Sequence, residues 1–252
     1  MSDLIRLDDR VAVITGAAGG MGIAIARVLA DRGAKVVLTD RDTAVLAAAA
    51  QFGADTLALI HDVTDLAASE EVVEATRAQF GRLDIWVNNA GWDRPSLFAD
   101  SDPEDWMGII QINYLGVICG CRAAIPALRE APDGGVIISI ASDTARVGGW
   151  GEAVYAGAKA GVVAFSKSLA REVARDKIRV NCVSPAVTQT AFQERLSADP
   201  VGARIVEGAI KSTPMRRAAF PAEVAESVAF LASPAAGCIT GQVLSVNGGV
   251  VM

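Results

Sequence analysis

Short β-branched runs alternate along the chain with longer Ala- and Leu-rich stretches of helical period. The runs "VAVIT" (residues 11–15), "KVVLT" (35–39), "DTLALI" (55–60), "DIWVNN" (84–89), "GVIISI" (135–140), "IRVNCVS" (178–184) and "QVLSV" (242–246) predict strands. Helices are predicted over 20–32, 43–52, 66–80, 103–130, 152–175 and 221–232. Strands that are apolar on both faces and separated by helices imply a mainly parallel sheet covered on both sides. The expected fold is a doubly wound α/β domain with seven strands and its ligand crevice at their carboxyl ends. No linker or charge block divides residues 1–252, so one domain is expected. One interval breaks the alternation: residues 188–220 form a long polar excursion between the sixth strand and the next helix. An insertion of that length is commonly a lid or binding segment, the competing reading being a decorative helical hairpin.

Composition narrows the class. With 52% hydrophobic and 21% charged residues the chain has a large core and the profile of a soluble globular protein. A net charge of -6 without any Lys/Arg cluster offers nothing to a polyanion, so no nucleic-acid partner is expected. The N-terminus "MSDLIRLDDR" has no apolar stretch of a secretory signal, and no uninterrupted apolar run reaches the ~18 residues a membrane span needs. A cytoplasmic location without membrane contact is expected. Cys119, Cys121, Cys182 and Cys238 lie in apolar surroundings without paired ligand spacing, which predicts reduced core thiols and no metal.

"TGAAGGMG" (residues 15–22) follows the first strand and opens the first helix, the context a dinucleotide fingerprint requires. Gly16 suits the tight turn. Gly20, Met21 and Gly22 open a helix whose N–H groups face a pyrophosphate. Asp40 ends the second strand, where a carboxylate would accept from both ribose hydroxyls and repel a 2′-phosphate; NAD is favoured over NADP, although Arg41 offers a phosphate a partner. Asp62 with Val63, and "NNAG" with Asn89, Ala90 and Gly91, end two further strands on the adenosine side. For Asp62 an Asx turn or helix cap is an equal competitor.

The chain has one histidine, His61, so the usual group for proton transfer is nearly absent. "YAGAK" offers another: Tyr155 and Lys159 are i,i+4 and share a helix face. Bringing a phenol of pKa ~10 to near neutrality takes about 3 to 4 kcal/mol. An ammonium ~4 Å away at an effective ε of ~20 contributes about 4 kcal/mol. One lysine is enough in principle.

"TGAAGGMG", "NNAG", Asn113 in "QINYLG", Ser142 in "ISIAS" and "YAGAK" together resemble, in order and spacing, the short-chain dehydrogenase/reductase family over essentially the whole chain. The resemblance implies a Rossmann fold and an NAD-dependent oxidoreductase interconverting a secondary alcohol and a ketone. Tyr155 would be the acid and base, Ser142 would hydrogen-bond the substrate oxygen, Lys159 would hold the nicotinamide ribose, and Asn113 would position a water. Pro185 and Thr188 would border the nicotinamide, with Ala186 standing where the family usually has Gly. The pieces "NNAGWD" and "IASDTARVGGWGEAVYAGAK" look most like the branch that oxidises 2-hydroxycyclohexanecarboxyl-CoA; parts of the same helix look like 3-oxoacyl-thioester reductases. Trp92, Arg146, Trp150 and Phe192, with Asp93, are the candidate substrate contacts, and Arg146, Arg204, Arg216 and Arg217 could pair with coenzyme A phosphates. A general cyclic-alcohol dehydrogenase and a catalytically idle NAD-sensing protein remain as alternatives. Ser142 sits in no nucleophile elbow, which excludes a serine hydrolase. Family members commonly form tetramers through the Ala/Gly-rich helices at 103–130 and 152–175, so a homotetramer is expected.

Overall fold

In the computed structural model, which describes residues 3–53 and 55–252 but not the side chains of Asp3 and Phe192, the predicted alternation is realised almost residue for residue. The chain runs β1 (Val11–Thr15), α1 (Gly20–Asp31), β2 (Lys35–Asp40), α2 (Ala44–Ala49), β3 (Thr56–Ile60), α3 (Leu66–Phe80) and β4 (Ile85–Asn88). It continues through α4 (Pro103–Ile110), α5 (Gly116–Leu128), β5 (Val136–Ile140), α6 (Thr144–Val147) and α7 (Ala153–Val173). The last elements are β6 (Arg179–Pro185), α8 (Ala191–Ser197), α9 (Pro200–Ser212), α10 (Pro221–Ala232) and β7 (Val243–Val246).

All seven strands are parallel, in the order β3-β2-β1-β4-β5-β6-β7. The pleat divides the core in two. Ala12 and Ile14 of β1 face α1 and α10 with Ile25, Leu29, Val224 and Val228; Val11 and Val13 face α3, α5 and α7 with Val72, Leu128 and Leu169. The central strands β1, β4 and β5 are buried throughout, whereas the edge strands β3 and β7 are part-exposed. The strand order reverses between β1 and β4, and the crevice at such a switch point is where this fold places its ligand.

Two stretches depart from the sequence reading. The helix expected over 103–130 is split by a π turn, Gln111–Leu115, between α4 and α5. Within it the Asn113 side-chain amide donates to Ile109 O at 2.9 Å, competing for the carbonyl an α-helical ladder would use. The span Pro103–Leu128 has the length and hydropathy (1.4) of a membrane helix, a composition the count of uninterrupted apolar residues missed, but half of it is buried, and α5 packs on α3. The polar excursion at 188–220 contains α8 and α9, its base closed by Gln189 N–H to Ala219 O and Ala219 N–H to Val187 O, both at 2.9 Å. Cys119, Cys121 and Cys182 are buried thiols, but Cys238 is exposed, a correction to the expectation of four core cysteines.

Candidate active site

The glycine turn is built by close backbone packing. Gly16 has φ +65°, and a Cβ there would lie 2.7 Å from Ala90 Cα; a Cβ on Gly22 would lie 2.3 Å from Gly16 O. Neither position admits a side chain. Thr15 Oγ1 accepts from Asn89 N–H at 3.0 Å and Ala90 N–H at 3.1 Å, and Asn89 Nδ2 donates to Thr15 O and Gly16 O, so β4's end is bonded to the turn. Two features fit a dinucleotide. The first turn of α1 has no side-chain cap and no acidic residue, leaving its N–H groups for a pyrophosphate. Asn89 Oδ1 is buried and has no partner among the described residues. Gly20 and Met21 lie at the same helix start; Met21 borders the main cavity, while Gly91 packs against Asn113 Oδ1.

Asp40 is anchored at the end of β2. Its Oδ2 accepts from Ala18 N–H in the glycine turn and its Oδ1 from Asp42 N–H, both at 3.0 Å. Arg41 is exposed. Asp62 forms the competing Asx turn, accepting from Thr64 N–H at 2.9 Å and Thr64 Oγ1 at 2.8 Å, and these bonds hold its carboxyl below the usual range. The cap of α3 is Asp65 instead. Val63 packs its side chain against Gly116 at the start of α5. His61 is buried between Thr39 Oγ1 and Ser69 Oγ, each 3.0 Å from a ring nitrogen, and burial lowers its pKa to about 4. It is a neutral structural group.

Ser142 follows β5, Tyr155 and Lys159 lie on α7, and Ser142 and Tyr155 border one cavity of about 520 Å³ at the carboxyl ends of the strands. Asp143 fixes this corner by accepting from Ser184 Oγ at 2.9 Å and Asn247 Nδ2 at 2.6 Å, which joins β5, β6 and the C-terminal turn. Lys159 is buried and donates to Ile140 O at 2.8 Å; burial lowers its pKa to about 8. Its Nζ stands 5.7 Å from the centre of the Tyr155 ring. The estimate that one lysine would bring the phenol toward neutrality is corrected here: burial, then the Glu152 and Asp93 carboxyls, push the Tyr155 pKa up, with only the Ser142 hydrogen bond opposing. Desolvation outweighs a charge at that distance. The Asn113 side chain clamps a loop, donating to Trp92 O and Ile109 O and accepting from Trp92 N–H at 3.3 Å.

The candidate substrate contacts are only partly brought together. Trp150 borders the cavity, with the Arg204 guanidinium 4.5 Å above its ring. Trp92 instead packs on Gly108 of α4, and Arg146 is held at the surface by Ser245 Oγ at 2.7 Å; neither lines the cavity. Arg217 pairs with Glu223 and Arg216 donates to Lys211 O, so only Arg204 of the segment's arginines reaches the cavity. The side chain of Phe192 lies outside the described residues. Pro185 and Thr188 border the cavity as expected. Ala186 brings no strain: it is absent from the residues with positive φ, and its N–H points to Val246 O. The segment expected as a lid or binding element lends the cavity an apolar wall of Leu196, Ile205 and Ala209 on α8 and α9, whereas the sequence reading missed Val250 and Val251 near the C-terminus. It also missed Glu152, which the cavity shares. The period of α9 held a signal, since its apolar residues recur at helical spacing.

Comparison with known proteins agrees with this geometry. A family model described as enoyl-(acyl carrier protein) reductase matches residues 16–251. The chain is 41% identical over 249 residues to 3-oxoacyl-[acyl-carrier-protein] reductase FabG of Escherichia coli (strain K12), covering 98% of this chain and 100% of that protein. The crystal structure of levodione reductase superposes with a TM-score of 0.90 at 32% identity, covering 97% of this chain and 98% of the other. A short-chain dehydrogenase/reductase structure from Brucella melitensis, titled glucose/ribitol dehydrogenase, gives a TM-score of 0.90 at 36% identity over 98% of both chains. With its glycine turn, its Ser142, Tyr155 and Lys159 at one cleft and these full-length likenesses, the chain belongs to the short-chain dehydrogenase/reductase family, oxidoreductases that interconvert alcohols and ketones with a nicotinamide cofactor.

Proposed function

We propose that the protein reduces the 3-oxo group of an acyl thioester to the secondary alcohol, with NADH as hydride donor. The observation that carries this reading is the full-length 41% identity to a 3-oxoacyl-[acyl-carrier-protein] reductase. The narrower likeness to a cyclic hydroxyacyl-CoA dehydrogenase finds no counterpart among these relatives, and Arg146, Arg216 and Arg217, each engaged by another group outside the cavity, lend no support to a coenzyme A phosphate site.

Each residue then has a stated role. The uncapped start of α1 and the Asn89 Oδ1 acceptor hold the dinucleotide, with Asp40 at the adenosine ribose; no cation lies in the glycine turn to favour a 2′-phosphate. The bound nicotinamide supplies hydride. Ser142 orients the carbonyl oxygen, and Tyr155 gives its phenolic proton to that oxygen as charge develops there. Lys159 has two hydrogens left after Ile140 O for the nicotinamide ribose and the phenolate. The apolar wall from Leu196 to Ala209 suits an acyl chain, and residues 188–220 act as its cover. The experiment is turnover of a 3-oxoacyl thioester, followed by loss of reduced cofactor and appearance of the 3-hydroxyacyl product.

A cytoplasmic homotetramer is the assembly and setting we infer. Phe98, Met107, Ile110 and Leu115 are exposed apolar side chains on and beside α4, a surface suited to packing against another copy. Sedimentation equilibrium at micromolar protein should return the mass of four chains; a monomer mass would refute the assembly.

A further inference from the structure

Tyr155 and Glu152 border a second cavity of about 20 Å³, together with Asp93, Ser96, Asp105 and Ile109. That volume is enough for one water. Asp93 enters from the loop after β4. It is 8% exposed, and its Oδ2 has no hydrogen-bond partner among the described residues. An unpartnered, buried carboxylate oxygen is costly and calls for a function. Glu152 lies three residues before Tyr155 at the N-cap of α7, and both residues border both cavities.

We propose that Asp93 and Glu152 share one proton and return it to Tyr155 through this small cavity after each ketone reduction. The step balances. As hydride reaches the carbonyl carbon, the Tyr155 O–H bond breaks and its proton forms the product hydroxyl. The shared carboxyl O–H then breaks, the phenol O–H re-forms, and the pair, now doubly ionised, takes a proton from solvent. Burial pushes both carboxyls up to about 7, with Asp93 adding to the effect on Glu152. Two buried carboxyls lining one small cavity disfavour double ionisation. Three other charged groups face the pair: Lys159, which draws Asp93 down, and Arg94 with Asp105, an ion pair at 3.3 Å on the wall of the small cavity. Across the main cavity stand Arg204, over Trp150, and Asp143, engaged by Ser184 and Asn247.

This inference rests on the reductive reading but not on the identity of the acyl substrate. The test is the pH profile of kcat/KM for reduction of whichever ketone the wild type turns over, in Asp93→Asn and in Glu152→Gln. A failed 3-oxoacyl assignment therefore leaves it open to judgement on another ketone. The wild type should lose activity as pH rises through about 7. In each variant that limb should shift by a pH unit or more or vanish, with kcat at neutral pH lowered at least about tenfold and partly restored by added acetate, while cofactor affinity stays within about twofold. Should one variant fail to fold, the other decides. Profiles that superimpose on the wild type after scaling by a pH-independent factor would overturn the relay and leave the pair a structural role. An inactive folded variant that acetate does not rescue would overturn it too.

Discussion

Tyr155→Phe is expected to lower kcat/KM for ketone reduction by about 10²- to 10⁴-fold, the range by which a positioned acid accelerates such a step. The substitution removes one oxygen from a ring on α7 and leaves the glycine turn, Asp40 and Lys159 untouched, so cofactor affinity should change little. The sign of the tyrosine's shift makes the effect specific. Burial and the two carboxyls keep the phenol protonated at neutral pH, which is the form reduction consumes. Oxidation needs the phenolate and should rise with pH in the wild type, and the phenylalanine variant should be flat at its low level in both directions. Steady-state rates across pH, beside cofactor titration by fluorescence, separate these outcomes; a variant retaining a third of wild-type activity would remove Tyr155 from the mechanism.

The second large effect is expected at Asp40. Its carboxylate is tied to Ala18 N–H and Asp42 N–H, yet each oxygen keeps a lone pair for a ribose hydroxyl. Asp40→Ala should lower kcat/KM with NADH by at least about tenfold, or ~1.4 kcal/mol, and lower it less with NADPH, because the repulsion of a 2′-phosphate is lost together with the hydroxyl contacts. The paired measurement with both cofactors decides. If the wild type already prefers NADPH by tenfold, Arg41 is the dominant contact and the ribose reading fails.

The fold was legible because its signals are local and periodic. β1 and β5 are mainly apolar runs, buried end to end, and the cap residues Asp65, Gly81 and Asp102 stand where α3 starts and ends and where α4 begins. The π turn was not legible, since it involves a side chain competing for one carbonyl in three dimensions. The same division runs through the site. Gly16, Tyr155 and Lys159 declare themselves by spacing, and Ser142 through the family resemblance. Arg146 and Trp92 sit in stretches that flank the site, but Ser245 and Gly108, distant in sequence, draw them away from the cavity. The tyrosine's acidity was misjudged for a related reason: sequence supplies the charge of Lys159 but neither the depth of burial nor the two carboxyls that oppose it. The segment carrying α9 announced itself as a polar excursion too long for a plain connection, but the C-terminal valines of the main-cavity wall reach it only when the chain closes on itself.

The central claim is that this cleft reduces an acyl thioester, and the most direct measurement is kcat/KM with NADH for a 3-oxoacyl thioester against the methyl ester of the same 3-oxo acid. If contacts remote from the carbonyl are used in the transition state, the thioester should be favoured by about tenfold or more, with the 3-hydroxyacyl thioester as product. Equal values for the two, or turnover confined to the ester, would contradict the account and leave a general ketone reductase in its place.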